Sequence, residues 1–492
     1  MRGECGQMSK LKLFVENFLV FGLGGVIQKA IPLVMVPIVT RLMPNSDYFG
    51  LNDMSNTVSS FGGAFAVMGM YDAMYRMFFE KDDEDYKKKV CSTAVLFTIA
   101  TSLIIFLLMI VFKDIIAFYF FSNPEYSYLV YITALATLVG GTNSIISAPT
   151  RMQNKRKVFI IANTVSSVFS YSISIPMLLA GYYVVALPLA GLLTALTIEL
   201  TFGFLNHSWF SPGKFDFRLL KQMLKIAIPL FPNFLVYWLF NSCDKLMITN
   251  MIGIGATGIY AVGSKLGQAS QLIYTAFAGG WQFFAFSTMK EKNQVESNSK
   301  IFEYLGIISF IATAFICAWS HGIYELLFTE EYVSGYIIAP YLFLAPLLLM
   351  LFQVEANQFL VIKNTWPNMF ILSIGSLLNI LINWLLIPVL GIEGAAVATL
   401  LGYIVSVVIC TIVLIKMKLM VVSYNFTFAV AVMAVYLVLW RLLFCDKMIV
   451  GTISAMITSC VLILLYKKAI ANLLQSIKRK NDNSNYQENL RA

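Results

Sequence analysis

Eight ionisable side chains stand in long apolar runs that should hold none. Lys29, Arg76, Lys245 and Lys265 are the basic ones; Asp72, Asp244, Glu199 and Glu355 are the acidic ones. A charge at the centre of a membrane-spanning helix costs about 2.5–3.5 kcal/mol on insertion scales, so each must face a partner or a water-filled space. The amines and the guanidinium have the chemistry to neutralise an anion in a low-dielectric interior, the lysines as point charges and Arg76 as a planar fork. A desolvated carboxylate can carry a coupling proton or bind sodium.

Lys29 and Lys265 lie deepest in their runs and are the first choices for lining a cavity, against the alternatives of snorkelling or structural pairing. Asp72 and Arg76 are four residues apart, hence on one helix face, and are expected to pair. Arg76 is also placed to meet an anion at the cavity mouth. Asp244 and Lys245 are adjacent, about 100° apart on a helix, so they cannot share one direction and one of them should face the cavity. Glu199 and Glu355 are read either as ion-coupling carboxylates or as groups bonded to a neighbouring helix. Asn163, Asn233, Asn241, Asn357, Asn379 and Asn383 read as interhelical glue before sugar ligands.

The elements that hold these residues are membrane helices. The 492 residues are 59% hydrophobic and 12% charged, with a mean hydropathy of +0.76, more apolar surface than a soluble core can hide. The predicted spans are 13 to 40, 48 to 79, 90 to 112, 125 to 149, 158 to 180, 183 to 205 and 222 to 250, then 254 to 288, 301 to 320, 336 to 361, 367 to 388, 392 to 415, 423 to 444 and 449 to 466. Each is long enough for a hydrocarbon core of about 30 Å, so the fold class is an all-α polytopic membrane protein of about fourteen helices. The first run is too long for a cleavable signal and reads as helix one.

The net charge of +9 reports topology, not nucleic acid. Of the 35 basic residues, 27 fall at the termini and in alternate loops, such as Lys87 to Lys89 and Lys155 to Lys157, while Arg41, Lys113, Arg441 and Lys447 fall on the other side. Cytoplasmic loops retain Lys and Arg, which puts both termini in the cytoplasm. The seven cysteines are scattered without a CxxC spacing, so neither a metal site nor a disulfide framework is expected. His207 and His321 are the two histidines, and no loop is long enough for a catalytic domain. No enzyme activity and no cofactor are expected, H+ or Na+ being the possible coupling ions.

The chain repeats itself. Asp47-Tyr48-Phe49-Gly50-Leu51 opens helix two, and Ala256-Thr257-Gly258-Ile259-Tyr260 opens helix eight. Pro176 to Gly181 with Val185 and Ala186 answers Pro388, Gly391, Gly394, Ala395 and Ala396. Two bundles related by an axis along the membrane normal leave a cavity between them suited to alternating access. Prolines in helices one and seven could permit the bending such rocking uses. The expected divisions are 1–210 for an N-terminal lobe, 211–420 for a C-terminal lobe, 421–466 for two extra helices and 467–492 for a basic cytoplasmic tail meeting anionic headgroups.

These residues resemble a family. Asn17, Pro37-x3-Arg41, Asp47-Tyr48-Phe49-Gly50 and Asn379-x3-Asn383-x4-Pro388-x2-Gly391-x2-Gly394-Ala395-Ala396 are similar, in order and placement, to bacterial oligosaccharide and polysaccharide flippases of the O-antigen type. Those flippases belong to the multidrug/oligosaccharidyl-lipid/polysaccharide (MOP) exporter superfamily. The resemblance implies two MATE-like six-helix lobes with a central cationic cavity. It implies an undecaprenyl-pyrophosphate-linked glycan as substrate, moved across the bacterial inner membrane for capsule, O-antigen or exopolysaccharide assembly. A lysine pair would then neutralise the pyrophosphate, and a polysaccharide polymerase would receive the product. Three rivals stay open: a drug or metabolite exporter of the same superfamily, a lipid II flippase, and a membrane glycosyltransferase or polymerase, which would need a long periplasmic loop.

Overall fold

The computed structural model describes residues 31–153, 155–287, 293–362, 364 and 366–467. Asn17, Lys29, Lys363 and the tail from 468 onward lie outside them. The first lobe comprises α1 (Ile31–Leu42), α2 (Asp47–Val67), α3 (Met70–Phe78), α4 (Glu84–Val111), α5 (Lys113–Phe121), α6 (Ser127–Ile146), α7 (Ala148–Met152), α8 (Arg156–Leu179) and α9 (Ala186–Asn206). The second comprises α10 (Phe217–Met251), α11 (Ile254–Ser287), α12 (Gln294–Leu327), α13 (Glu330–Val333), α14 (Ala339–Val361), α15 (Trp366–Leu390) and α16 (Ile392–Lys416). The added pair is α17 (Tyr424–Leu439) and α18 (Met448–Leu465).

Among the described residues, eleven helices are long and apolar enough to cross a membrane. Helix α1, the α2–α3 pair and α11 occupy the places of the other three expected spans. Helix α2 falls short on hydropathy because Asn52, Asp53, Ser55, Asn56 and Thr57 follow one another along it. Large apolar side chains face outward, as Leu103, Ile104, Leu107 and Val111 do on α4. In water such a stripe would be an association site; here it faces acyl chains.

The predicted span from 48 to 79 is broken. Met68 and Gly69 both take positive φ, 47° and 75°, so α2 ends and α3 restarts at an angle. Gly69 is required there: a Cβ would lie 2.8 Å from the carbonyl oxygen of Ala227 on α10. Helix α5 was not anticipated, because Phe112 to Phe121 reads as a loop following a span. By contrast α10 stays helical through Pro229 and Pro232.

Almost every residue of α14 is buried, which makes it the axis of the second lobe. The added pair packs on this lobe: Phe426 of α17 fills the space left by Gly306 on α12, and the Tyr436 hydroxyl donates to the Ala314 carbonyl at 3.0 Å. Helix α2 packs against both α11 and α10 of the second lobe. Where α2 meets α11, a Cβ on Gly50 would lie 2.1 Å from the Ile254 carbonyl oxygen, and one on Gly258 would lie 2.1 Å from that of Ser46. The contact is reciprocal, with residues four apart on each helix, so the repeat seen in the sequence is also the seam that joins its two copies. The same end is tied by Ser46, whose backbone N–H and hydroxyl donate to Glu331 Oε1 at 3.0 and 2.6 Å.

Candidate functional site

Helix α10 runs beside α2 and α3 for most of its length. Phe65 meets Phe231 and Phe61 meets Trp238 edge-on or tilted, and the Trp238 indole donates to Ser60 at 3.1 Å. Two turns further along, α10 presents Asp244 and Lys245. Their 100° separation sends them to different partners. The Lys245 ammonium reaches across the lobes to Asp53 of α2, 2.9 Å from Oδ2 and 3.2 Å from Oδ1. The Asp244 carboxylate stays within its own lobe, accepting from the Tyr260 hydroxyl of α11 and from the Lys245 backbone N–H at 2.8 Å. Both residues line one cavity.

Two cavities adjoin this cluster. One, of about 250 Å³, lies wholly within the second lobe between α10, α11, α14 and α16. The other, of about 610 Å³, lies between the lobes and is bounded by α1, α8, α10 and α11, with Pro32, Leu33, Ser167 and Lys265 on its walls. Asn241, Gln268 and Gln271 line both. Lys265 has no ion-pair or hydrogen-bond partner among the described residues. It lines the larger cavity, one turn of α11 from Gln268. The cluster holds both signs of charge: Asp53 and Asp244 stand with Lys245, and the charge of Asp53 also reaches Lys265.

The other sequence candidates lie elsewhere, and Lys29 is outside the described residues. Asp72 and Arg76 share a face of α3 but form no ion pair, contrary to expectation. The opposite face of this nine-residue helix is buried through Met70, Met74 and Met77, and Arg76 extends to the exposed side, where a pair gains little. Glu199 faces Thr142 of α6 inside the first lobe. Glu355 is buried in the second lobe and accepts from Thr411 of α16. Neither carboxylate lines either cavity. Asn379 is interhelical, donating to Thr399 of α16 at 3.1 Å, and accepts from Asn383 within α15 at 3.3 Å.

Asp53 is the member of this cluster that sequence reasoning missed. The signal was weak: the carboxylate stands only six residues into the predicted span from 48 to 79, where the insertion penalty that singled out Lys29 and Lys265 is smaller than at a span's centre. It was hidden among the polar residues of α2. The phenols of Tyr237, Tyr260, Tyr274 and Tyr403, which converge on the smaller cavity, were also missed; in a chain of 24 tyrosines no spacing distinguishes them.

A family model described as "Polysaccharide biosynthesis protein" matches residues 38–337. No curated protein sequence matches the chain. Among solved structures, the lipid II flippase MurJ in an inward closed conformation aligns with a TM-score of 0.70 at 16% identity, covering 93% of this chain and 99% of that one. An inward-facing multidrug resistance MATE family transporter of the MOP superfamily aligns at 0.61 and 13% identity, covering 80% of this chain and 98% of that one. A MOP superfamily transporter from Pyrococcus furiosus aligns at 0.55 and 15% identity, with coverages of 82% and 95%. At these identities the likeness is one of fold.

Proposed function

Since this multi-pass membrane chain belongs to the polysaccharide biosynthesis protein family, we propose that it flips an undecaprenyl-pyrophosphate-linked oligosaccharide between leaflets by alternating access. The observation that carries the reading is Lys265, an unpaired amine on the wall of the interlobe cavity. A pyrophosphate crossing the membrane needs fixed positive charge and no covalent chemistry. A cationic drug would need an available carboxylate instead, and both carboxylates of the cluster are engaged, Asp53 by Lys245 and Asp244 by Tyr260.

In this proposal the chain sits in the bacterial inner membrane with both termini cytoplasmic, as the basic residues favour, and acts as a transporter without enzymatic activity. The movement runs from the cytoplasmic to the periplasmic leaflet and feeds capsule, O-antigen or exopolysaccharide assembly. A proton or sodium gradient drives it, and Asp244 and Glu355 are the carboxylates to substitute first when seeking the coupling group.

The test compares cells with and without the gene, measuring solvent-extracted lipid-linked glycan and finished surface polymer. Accumulated precursor with lost polymer, restored by the intact gene, supports the reading; unchanged levels of both overturn it. Lys265→Ala should reduce polymer about tenfold or more, the loss expected for one charge-assisted contact to phosphate, at unchanged protein level in the membrane. Lys265→Arg should retain most of it.

A further inference from the structure

The smaller cavity has a chemistry of its own. Four phenols line it, Tyr237, Tyr260, Tyr274 and Tyr403, and two have hydroxyls without a hydrogen-bond partner among the described residues. Tyr403 is 5% exposed and lies flat against Phe240, with ring centroids 4.4 Å apart and planes at 13°, so its ring cannot swing to find a partner elsewhere. Tyr237 lines the same space from α10. Buried phenols ordinarily find a partner within the protein. Tyr274 is held from behind by the Gln353 side-chain amide, which donates to its oxygen and leaves the phenolic proton to be given away. At the mouth, Asn241 and Gln268 add amides that can both donate and accept. The ions that touch this pocket, Asp244 and Lys245, are already paired.

We propose that this pocket, within the second lobe, is a neutral sugar subsite that takes one ring of the substrate's glycan while the pyrophosphate lies at Lys265. The inference rests on the flippase reading above. A sugar ring offers hydroxyls that donate and accept in equal measure and a C–H face that stacks on aromatic rings; unpartnered phenols, amides and flat aromatic walls answer both. The volume of about 250 Å³ lies just below the range of small-molecule sites, about 300–1,000 Å³, enough for a single ring and too small for an oligosaccharide chain. The remaining sugars stay in the larger cavity. Gln268, one helical turn from Lys265 and lining both spaces, marks the junction where the phosphate ends and the first sugar begins.

The experiment uses the full chain in nanodiscs and two probes: undecaprenyl pyrophosphate, and the same lipid bearing the glycan, extracted from cells that lack the protein. Affinity is read by thermophoresis. The wild type should bind the glycan-bearing lipid more tightly than the bare one. The double variant Tyr237→Phe/Tyr403→Phe keeps both rings and removes both hydroxyls. It should lose about fivefold to tenfold of the affinity for the glycan-bearing lipid, the effect of one or two hydrogen bonds, with bare-lipid affinity unchanged. Tyr274→Phe should behave alike to a smaller degree. Equal binding of the two lipids by the wild type, a preference that survives the hydroxyl removals, or parallel loss of both affinities would each overturn the subsite. Binding of neither lipid by the wild type would overturn the flippase reading itself, and the subsite with it.

Discussion

Removing the Lys245 ammonium strands the carboxylate of Asp53. In the ion pair the side chains are 18% and 9% exposed respectively, so the stranded group has little water to turn to. Breaking a buried pair by deleting one partner costs about 3–5 kcal/mol. Lys245→Ala should therefore cost about 3–5 kcal/mol. Asp53→Ala should cost less, since Lys245 sits at a cavity wall with Asp244 beside it. The double variant Asp53→Asn/Lys245→Gln should recover most of the loss. The assay is thermal unfolding in detergent, followed by helical circular dichroism. Losses that simply add in the double variant would refute the reasoning.

Two further outcomes follow from contacts elsewhere. Gly258→Val should separate α11 from α2, because even its first carbon would fall 2.1 Å from the Ser46 carbonyl oxygen; cross-linking between cysteines placed at Ser46 and Ile254 should drop sharply, whereas Gly191→Val, which meets nothing within 4 Å, should leave it unchanged. Asp446, in the turn before α18, accepts from the Tyr336 hydroxyl, which holds its carboxyl below the usual range. A group so depressed adds stability above its ordinary value of about 3.9 and loses it as pH falls through the folded one, so hydrogen exchange in this turn should rise on acidification below about pH 4, and Asp446→Asn should abolish that dependence.

Much of the fold was legible because a bilayer leaves few choices. Backbone groups in hydrocarbon must bond within their own segment, so hydropathy alone reads out helices such as α4, α14 and α16, and the repeat follows from Gly50 and Gly258 at matching places. What escaped was local or tertiary. The break at Met68 and Gly69 depends on the approach of Ala227 from a different lobe, which no window over residues 48 to 79 contains. Helix α5 is a run of aromatic residues whose length suits neither a span nor a tight turn. Lys265 and Lys245 were found by their cost of insertion, yet their roles diverge because one has an aspartate opposite it and the other has none. The i,i+4 rule that paired Asp72 with Arg76 describes proximity on a helix, and at an exposed position proximity alone does not hold two side chains together.

Helix α2 meets α11 and α10 of the second lobe in two different ways. Where α2 meets α11, backbone touches backbone over Gly50 and Gly258, with Ser46 bonded to Glu331 and Phe49 packed among Ala261, Val262 and Tyr332; the join combines close approach, a few hydrogen bonds and buried apolar contact. Where α2 meets α10, aromatic stacking around Trp238 is followed by the Asp53–Lys245 pair. An ion pair is the more easily exchanged of the two, since an incoming dianion offers Lys245 the same charge that Asp53 does, and Lys265 lies near enough to share it. The lysine that is free and the lysine that is held thus differ in what a phosphate must do to reach them. Under the proposed function a phosphate at Lys265 would break no bond, whereas one at Lys245 would have to displace Asp53 of α2, and it is this second contact through which a substrate would loosen the seam between lobes.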